Sequence, residues 1–447
     1  MQAPPLHRPD PMRFLHTADW HLGRVYHGMP LLEDQAHVLR DFVRLAAELK
    51  PDAILIAGDV YDRSVPPADA VKLLDEVLAE LVLGLGIRVA MIAGNHDGPD
   101  RLAFGSGLLA RAGLTVRGPV EAGAEPLLFD DAHGKVAVHL LPYGEPALVR
   151  AALPPAPAAE VKEVEKGARP KGRPVMGQPA MGQGELFPAA EAVSESTEQA
   201  GSGTPAEAAT PRIADHHSAL AAQVAAARAR QPAGARSVAV AHAFVIGGSE
   251  AESERPLTVG GSGSVGAELF DGFDYAALGH LHRPQQIGSP RIQYSGSLLK
   301  YSFAEADHAK SVSLVTLGAP GELQVERIAL APRRDLRILE GRLDELLAAA
   351  AGDPARQDYV LARLTDDGAL LDAMGKLRTA YPNALAIERS LLQGEGGAHR
   401  GGDHRRMRVE DLFAGFYREM TGQALGEGAA AVLAEVVQRV EREARQA

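Results

Sequence analysis

Ala53-Ile54-Leu55-Ile56-Ala57-Gly58-Asp59-Val60-Tyr61-Asp62 reads as a short apolar strand that ends abruptly in a turn carrying two carboxylates. No polar residue interrupts the run before Gly58, as expected for a strand buried on both faces of a mainly parallel sheet. Two neighbouring stretches repeat the arrangement. Arg13 to Ala18 leads into Asp19-Trp20-His21, and Val89 to Ala93 leads into Gly94-Asn95-His96-Asp97. Helical patterns at about Leu31 to Leu49 and Asp69 to Leu83 separate them, the second opened by Pro66-Pro67 as a helix start. Strand, helix, strand, helix, strand predicts a βαβαβ unit, and ligands of such sheets collect at the carboxyl ends of the strands.

The later part of the chain is richer in β-formers. Val136 to Leu141, Val238 to Val240, Tyr275 to Leu278, Ile292 to Tyr294, Val312 to Leu317 and Leu323 to Ile328 read as strands, which two packed sheets flanked by helices would accommodate. Two of them end in further motifs, Ala241-His242 and Gly279-His280-Leu281-His282. Residues 151–212 are dominated by Ala, Pro, Glu, Gly and Ser and read as a disordered insertion that cannot bury enough apolar surface to fold, with helix resuming at Ser218 to Arg230. After Pro332 the texture changes: helix at Leu343 to Ala350, strand at Tyr359 to Leu364, helix at Leu370 to Tyr381, strand at Ala384 to Ser390. The expected organisation is a main domain over 12–331, a small α/β domain over 332–393, a basic linker over 394–408 and a helical segment over 409–447.

With 447 residues the chain exceeds one ordinary core. It has no cysteine, which excludes disulfides, thiolate zinc sites and a cysteine nucleophile, and leaves His, Asp, Glu and Asn as metal ligands. The first residues carry prolines and charges without an apolar core, so neither a signal peptide nor a membrane span is expected, and a cytoplasmic address follows as the default. Against 46 basic residues stand 58 acidic ones, a formal charge of -12. That balance neither proves nor excludes a nucleic-acid partner, because metal-ligand acids are neutralised by their cations.

Five motifs at strand ends supply carboxylate, amide and imidazole ligands for two metal ions. Asp59 is the natural bridge, since one carboxylate can neutralise two cations held ~3.5–4 Å apart while they activate water and stabilise a leaving phosphate-ester oxygen. If the segments Asp19 to His21 and His280 to His282 are extended, residues two apart point the same way and each pair faces one cavity. Gly58, Gly94 and Gly279 fit turns made close to the metals. If Asn95 binds metal, His96 must point elsewhere, which makes it a candidate general acid whose ring Asp97 could orient and charge. Any one of these residues alone reads as a turn, a cap or a core group; the ordered set does not.

These residues resemble the calcineurin-like metallophosphoesterase superfamily and, within it, the SbcD family of bacterial nuclease subunits, from about Met12 to Leu425. His16-Thr17-Ala18-Asp19-Trp20-His21-Leu22-Gly23, Gly58-Asp59-Val60-Tyr61-Asp62, Gly94-Asn95-His96-Asp97 and Ala277-Leu278-Gly279-His280-Leu281-His282-Arg283 carry the likeness. Tyr294-Ser295-Gly296-Ser297, Ser302-Phe303 and Val409-Glu410-Asp411-Leu412-Phe413 agree as well. The resemblance implies a two-sheet metallophosphoesterase sandwich flanked by helices, with a small α/β capping domain and C-terminal helices. It implies two divalent ions, manganese expected, one held by Asp19, His21, Asp59 and His282 and the other by Asp59, Asn95, His242 and His280. His96 would assist leaving-group departure. Asp62 stands where archaeal relatives carry a second catalytic histidine, and a structural role is expected for it.

The family cuts DNA ends and hairpins with an SMC-like ATPase, SbcC, in a two-plus-two assembly. Docking on that ATPase is expected of Leu412, Phe413, Phe416 and Tyr417, and of Val432, Leu433, Val436, Val437 and Val440, which recur at helical spacing. Homodimerisation would use the outer side of the first two helices. The basic stretch with His399, Arg400, His404, Arg405, Arg406 and Arg408 reads as a solvated linker or a phosphate contact. Two other readings stay open: a phosphatase or phosphodiesterase for small substrates on the same core, and a non-catalytic scaffold for DNA ends.

Overall fold

A computed structural model describes residues 10–153, 213–254, 263–366, 370–389 and 409–444. Most of the expected insertion and the whole basic linker lie outside the described residues, although Ala151 and Ala152 close a helix, Pro146–Ala152. Two six-stranded sheets face each other. The first runs in the order Leu323–Ala329, Ser311–Leu317, Met12–Thr17, Ala53–Ile56, Arg88–Ile92, Leu114–Arg117, and its last four strands are parallel. The second runs Gln285–Ile287, Ser289–Tyr294, Tyr275–Gly279, Arg236–His242, Gly134–Leu141, Leu127–Asp131, parallel in its centre with an antiparallel strand at each edge.

Side-chain alternation divides each central strand between two cores. Phe14, Leu55, Ala90 and Ile92 point to the second sheet, where Val138, Val238, Val240, Tyr275 and Ala277 meet them. Leu15, Ile54, Ile56, Val89 and Met91 point the other way, onto Val38, Leu39 and Phe42 of helix Leu32–Leu49 and Leu74 and Val77 of helix Ala68–Ala79. Both faces are apolar, so these strands show no polar alternation in sequence. The second helix is shorter than expected and closes in a π-helical turn, Glu80–Gly84.

Leu114–Arg117, Leu127–Asp131, Gln285–Ile287 and Leu336–Gly341 are strands that the apolar pattern did not reveal. They are short, and all four lie at sheet edges, where one side needs no apolar partner. The last joins Tyr359–Leu364 and Ala384–Arg389 in a parallel three-stranded sheet covered by helices Leu343–Ala349 and Ala373–Ala380. Its own core gathers Leu346, Val360, Ala362, Leu364, Leu377 and Tyr381.

This small unit is fastened to the start of the first helix. Asp34 is buried and receives both arms of the Arg334 guanidinium, at 2.9 and 2.6 Å, together with the Tyr359 hydroxyl at 2.8 Å. Asp34→Ala leaves Arg334 and Tyr359 without their acceptor, and a loss of about 2–3 kcal/mol is expected. A fall in the thermal midpoint of the purified protein, measured by calorimetry, checks it; an unchanged midpoint refutes the fastening.

Candidate metal centre

The carboxyl ends of the central strands of both sheets meet at one place. Asp19 and His21 follow strand Met12–Thr17, Asp59 follows Ala53–Ile56, and Asn95 and His96 follow Arg88–Ile92; His242 ends its own strand, and His280 and His282 follow Tyr275–Gly279. The first two loops are zipped by backbone hydrogen bonds from Asp19 N to Gly58 O (3.0 Å), His21 N to Asp59 O (3.0 Å) and Leu22 N to Val60 O (2.9 Å). Trp20, fully buried, packs edge-on against Phe42 and anchors its indole N–H on Thr17.

The loops are not extended, as the two-residue alternation had suggested. Asp19, His21 and Asp59 sit at φ 53, 45 and 49°, and His280 at φ 110°. Side chains with a Cβ rarely adopt such backbone, and the surrounding packing must hold them there. The pairs therefore converge through left-handed turns. Gly94 is needed for space: a Cβ there would overlap the Asp59 carboxylate and amide.

Asp59 lies between two groups of ligands. Its Oδ2 is 3.7 Å from His21 Nε2 on one side and 3.5 Å from His242 Nε2 on the other. On the first side His21 Nε2 is 3.0 Å from His282 Nε2, and Asp19, His21 and His282 offer ligand atoms within 4.8 Å of one another. On the second, Asn95 Oδ1 is 2.9 Å from His242 Nε2 and 3.2 Å from His280 Nδ1. The His280 backbone N–H donates to both Asp19 oxygens, at 3.0 and 3.1 Å. All seven expected ligands are thus brought together.

Proton positions suit cations. His242 Nδ1 is 2.8 Å from the Ala57 carbonyl oxygen, which can only accept, so Nδ1 carries the hydrogen and Nε2 turns toward Asp59 and Asn95. His282 Nδ1 faces the Glu305 carboxylate at 3.1 Å, which likewise frees Nε2. Burial lowers the pKa values of His21 and His282 and brings His280 down to about 3, so these rings are neutral and ready to ligate. Burial also raises the Asp19 carboxyl well above its usual range, and the negative Asp59 adds to this against the pull of His242. Burial would lower His242, yet Asp59 and Asp19 outweigh it and push the ring up to about 9. Either a proton or cations must therefore balance the paired carboxylates. His21 Nδ1, buried without a hydrogen-bond partner, is a further unsatisfied atom at the centre. Carboxylate, amide and imidazole without thiolate fit hard to borderline divalent ions.

His96 turns to the side opposite Asn95. Its ring lies edge-on to His21, 4.6 Å between centroids, and its backbone N–H donates to Asp59 Oδ1 at 2.8 Å. The expectation that Asp97 orients this ring is not met. Asp97 accepts backbone N–H groups of Val60 (3.1 Å), Tyr61 (2.9 Å) and Gly94 (2.9 Å), because the turn exposes three amides that only a buried acceptor can satisfy. His96 Nδ1 instead meets the Asp62 carbonyl oxygen at 2.8 Å. The Asp62 side chain pairs with Arg24 at 2.9 Å, a structural role beside the loop.

Several residues escaped the sequence reading. Gln35 spans the first loop, donating to Trp20 O (3.1 Å) and His21 O (2.7 Å) and accepting from Gly23 N (3.0 Å). Glu254 accepts the His282 backbone N–H at 2.6 Å. Glu305 and Lys310 form a buried ion pair behind His282. No spacing links these positions to the motifs; Glu305 stands two residues past the Ser302-Phe303 block without otherwise marking itself.

A family described as calcineurin-like phosphoesterase matches residues 12–142, and one described as type 5 capsule protein repressor C-terminal domain, SbcD_C, matches 332–421. A Staphylococcus epidermidis protein named as the SbcD subunit of the SbcCD nuclease is 30% identical over 417 residues, 93% of this chain and 95% of that protein. The chain belongs to the SbcD family. Membership makes it a metal-dependent phosphodiesterase on the calcineurin-like fold and implies divalent ions at its centre. Asp19, His21, Asp59, Asn95 and His96 lie inside the phosphoesterase match, whereas His242, His280 and His282 lie beyond it and within the span shared with the SbcD relative. For an SbcD-family centre so tightly turned, Gly94→Ala is expected to displace Asp59 and to weaken manganese binding at least tenfold in a protein that still folds. Isothermal titration with wild type alongside checks this; equal affinities would show that the turn yields.

Proposed function

We propose that this chain is the two-metal nuclease subunit of an SbcCD-type complex, hydrolysing phosphodiester bonds at DNA ends and hairpins in repair and recombination as an exonuclease and endonuclease. The observation that carries the reading is the position of Asp59 between two imidazole groups, with 3.7 Å to His21 and 3.5 Å to His242. One ion is assigned to Asp19, His21, Asp59 and His282, the other to Asp59, Asn95, His242 and His280, and manganese is the ion proposed. Divalent ions bound there supply the charge that activates water and offsets that of the phosphate. His96 then serves the leaving group. With Nδ1–H held by the Asp62 carbonyl oxygen, a proton on Nε2 can pass to the departing sugar oxygen. Asp97 serves indirectly, by fixing the turn that presents Asn95 and His96.

The partners proposed are DNA and an SbcC-type ATPase, with two copies of each. Among the described residues no helix is long and apolar enough to cross a membrane, and a cytoplasmic location is proposed with the DNA. Helices Val409–Thr421 and Glu427–Ala444 leave Phe413, Phe416, Val432 and Val436 exposed, which favours docking on a partner over packing within the chain. A homodimer surface is proposed on the outer side of helices Leu32–Leu49 and Ala68–Ala79, where an open groove is lined by Arg40, Val43, Arg44, Leu73 and Val77. The division into a main domain over 12–331, a cap over 332–393, a linker over 394–408 and a partner-binding segment over 409–447 belongs to the same proposal.

His96→Ala is expected to keep both ions and lower kcat by ~10²–10⁴, whereas Asp59→Asn or His242→Ala loses metal and activity together. Manganese-dependent cleavage of end-labelled linear and hairpin DNA, with and without the ATPase partner and ATP, is the assay. Full activity of His96→Ala refutes the acid; a preference for nucleotide monoesters over DNA returns the weight to a small-substrate hydrolase.

A further inference from the structure

Behind His282, on the side away from the other ligands, Glu305 and Lys310 form an ion pair inside the protein. Glu305 has no exposed surface and Lys310 is 7% exposed. Glu305 Oε1 receives His282 Nδ1 at 3.1 Å, the Tyr301 backbone N–H at 3.2 Å and the Ser253 hydroxyl. Its second oxygen takes the Lys310 ammonium. Lys310 Nζ also donates to the His282 carbonyl oxygen at 2.8 Å and to Ser297 Oγ at 2.8 Å. The pair therefore holds His282 at both ends, ring and backbone, and every strong donor and acceptor of the pair is engaged. A buried ion pair is weak support for a fold, since apolar side chains of equal volume do as well or better. Its place against one ligand needs another reason.

We propose that Glu305, clamped by Lys310, is a positioning residue that fixes the His282 tautomer and strengthens its bond to one of the two ions. A carboxylate behind a ligating imidazole aligns the ring and raises its basicity. Two of the other rings lack this device: His242 Nδ1 leans on a neutral carbonyl, and His21 Nδ1 has no hydrogen-bond partner, the Asp62 carboxylate being 3.8 Å away. The two ions are thereby held unequally, the one beside His282 reinforced from behind. The inference rests on the two-metal reading above.

The test is a manganese titration of the full chain, followed by calorimetry and by the electron paramagnetic resonance of the bound ions. Wild type is expected to take two ions; no bound metal at all would sink the two-metal reading itself, before Glu305 is at issue. Glu305→Gln is expected to weaken one ion ~10–100-fold and leave the other within about twofold, and His242→Ala identifies the other site by removing the complementary ion. Because Glu305→Gln strands the Lys310 charge, the double variant Glu305→Gln with Lys310→Met is measured too, and the same selective loss is expected in a protein that folds without metal. Two ions with wild-type affinity in either folded variant overturn the proposal. So does equal weakening of both ions, or the failure of both variants to fold, which would make the pair a support of the core.

Discussion

Everything at the centre follows from two carboxylates, Asp19 and Asp59, that are buried facing the same imidazoles. Neither can be hydrated there, and their charges repel each other, so the fold is consistent only if something positive lies between them. The protein accepts local strain to reach this state. Asp19, His21, Asp59 and His280 take up backbone that residues with a Cβ avoid, and Gly94 leaves only enough room for the Asp59 carboxylate. The two sheets repay it: their apolar faces, Phe14 and Leu55 against Val238 and Val240, bring strand ends from distant parts of the chain to one place.

The first helix transmits this order outward. Asp34 and Gln35 are neighbours on its first turn, about 100° apart around the axis. Asp34 faces Arg334 and Tyr359 of the small unit, and Gln35 faces Trp20, His21 and Gly23 of the metal loop. The small unit and the first metal loop are thus registered against a single rigid element. A second chain of contacts runs from Arg24 through Asp62 to His96, so the loop that bears the ligands also sets the ring proposed as the acid.

What could be read in the sequence was the chemistry that admits few substitutes. Ligand types, glycines at crowded turns and uninterrupted apolar strands are narrowly constrained by metal chemistry and by burial, and they picked out the seven side chains that meet at the centre, the two sheets and the order of the motifs. The conformation of Asp19-Trp20-His21 was not readable, because an alternating pair and a left-handed turn have the same residues at the same spacing. Asp97 misled for a related reason. Adjacency to His96 suggested a contact between side chains, while the demand of three buried amides, invisible in sequence, decided where the carboxylate went. Glu305 and Lys310 meet His282 only through folding over 23 and 28 positions, and no local pattern records that.

Exposure around the centre is uneven, and this orients the chemistry. Asp19, His21 and His282 are 0, 1 and 1% exposed, sealed by Trp20 and the Glu305 network, whereas Asn95 and His96 are partly open. Among the described residues of the centre, the side open to solvent is therefore the Asn95-His96 turn, the same turn that Asp97 holds through three backbone amides. The group proposed to protonate the leaving oxygen thus stands on the open side, and the most deeply buried of the proposed ligands stand behind it, where water is excluded. A net charge of -12 is no obstacle to a phosphate on that side. Asp19 and Asp59 are buried, where bound divalent ions would offset their charge, and the part of the centre that is open to solvent is an amide and an imidazole.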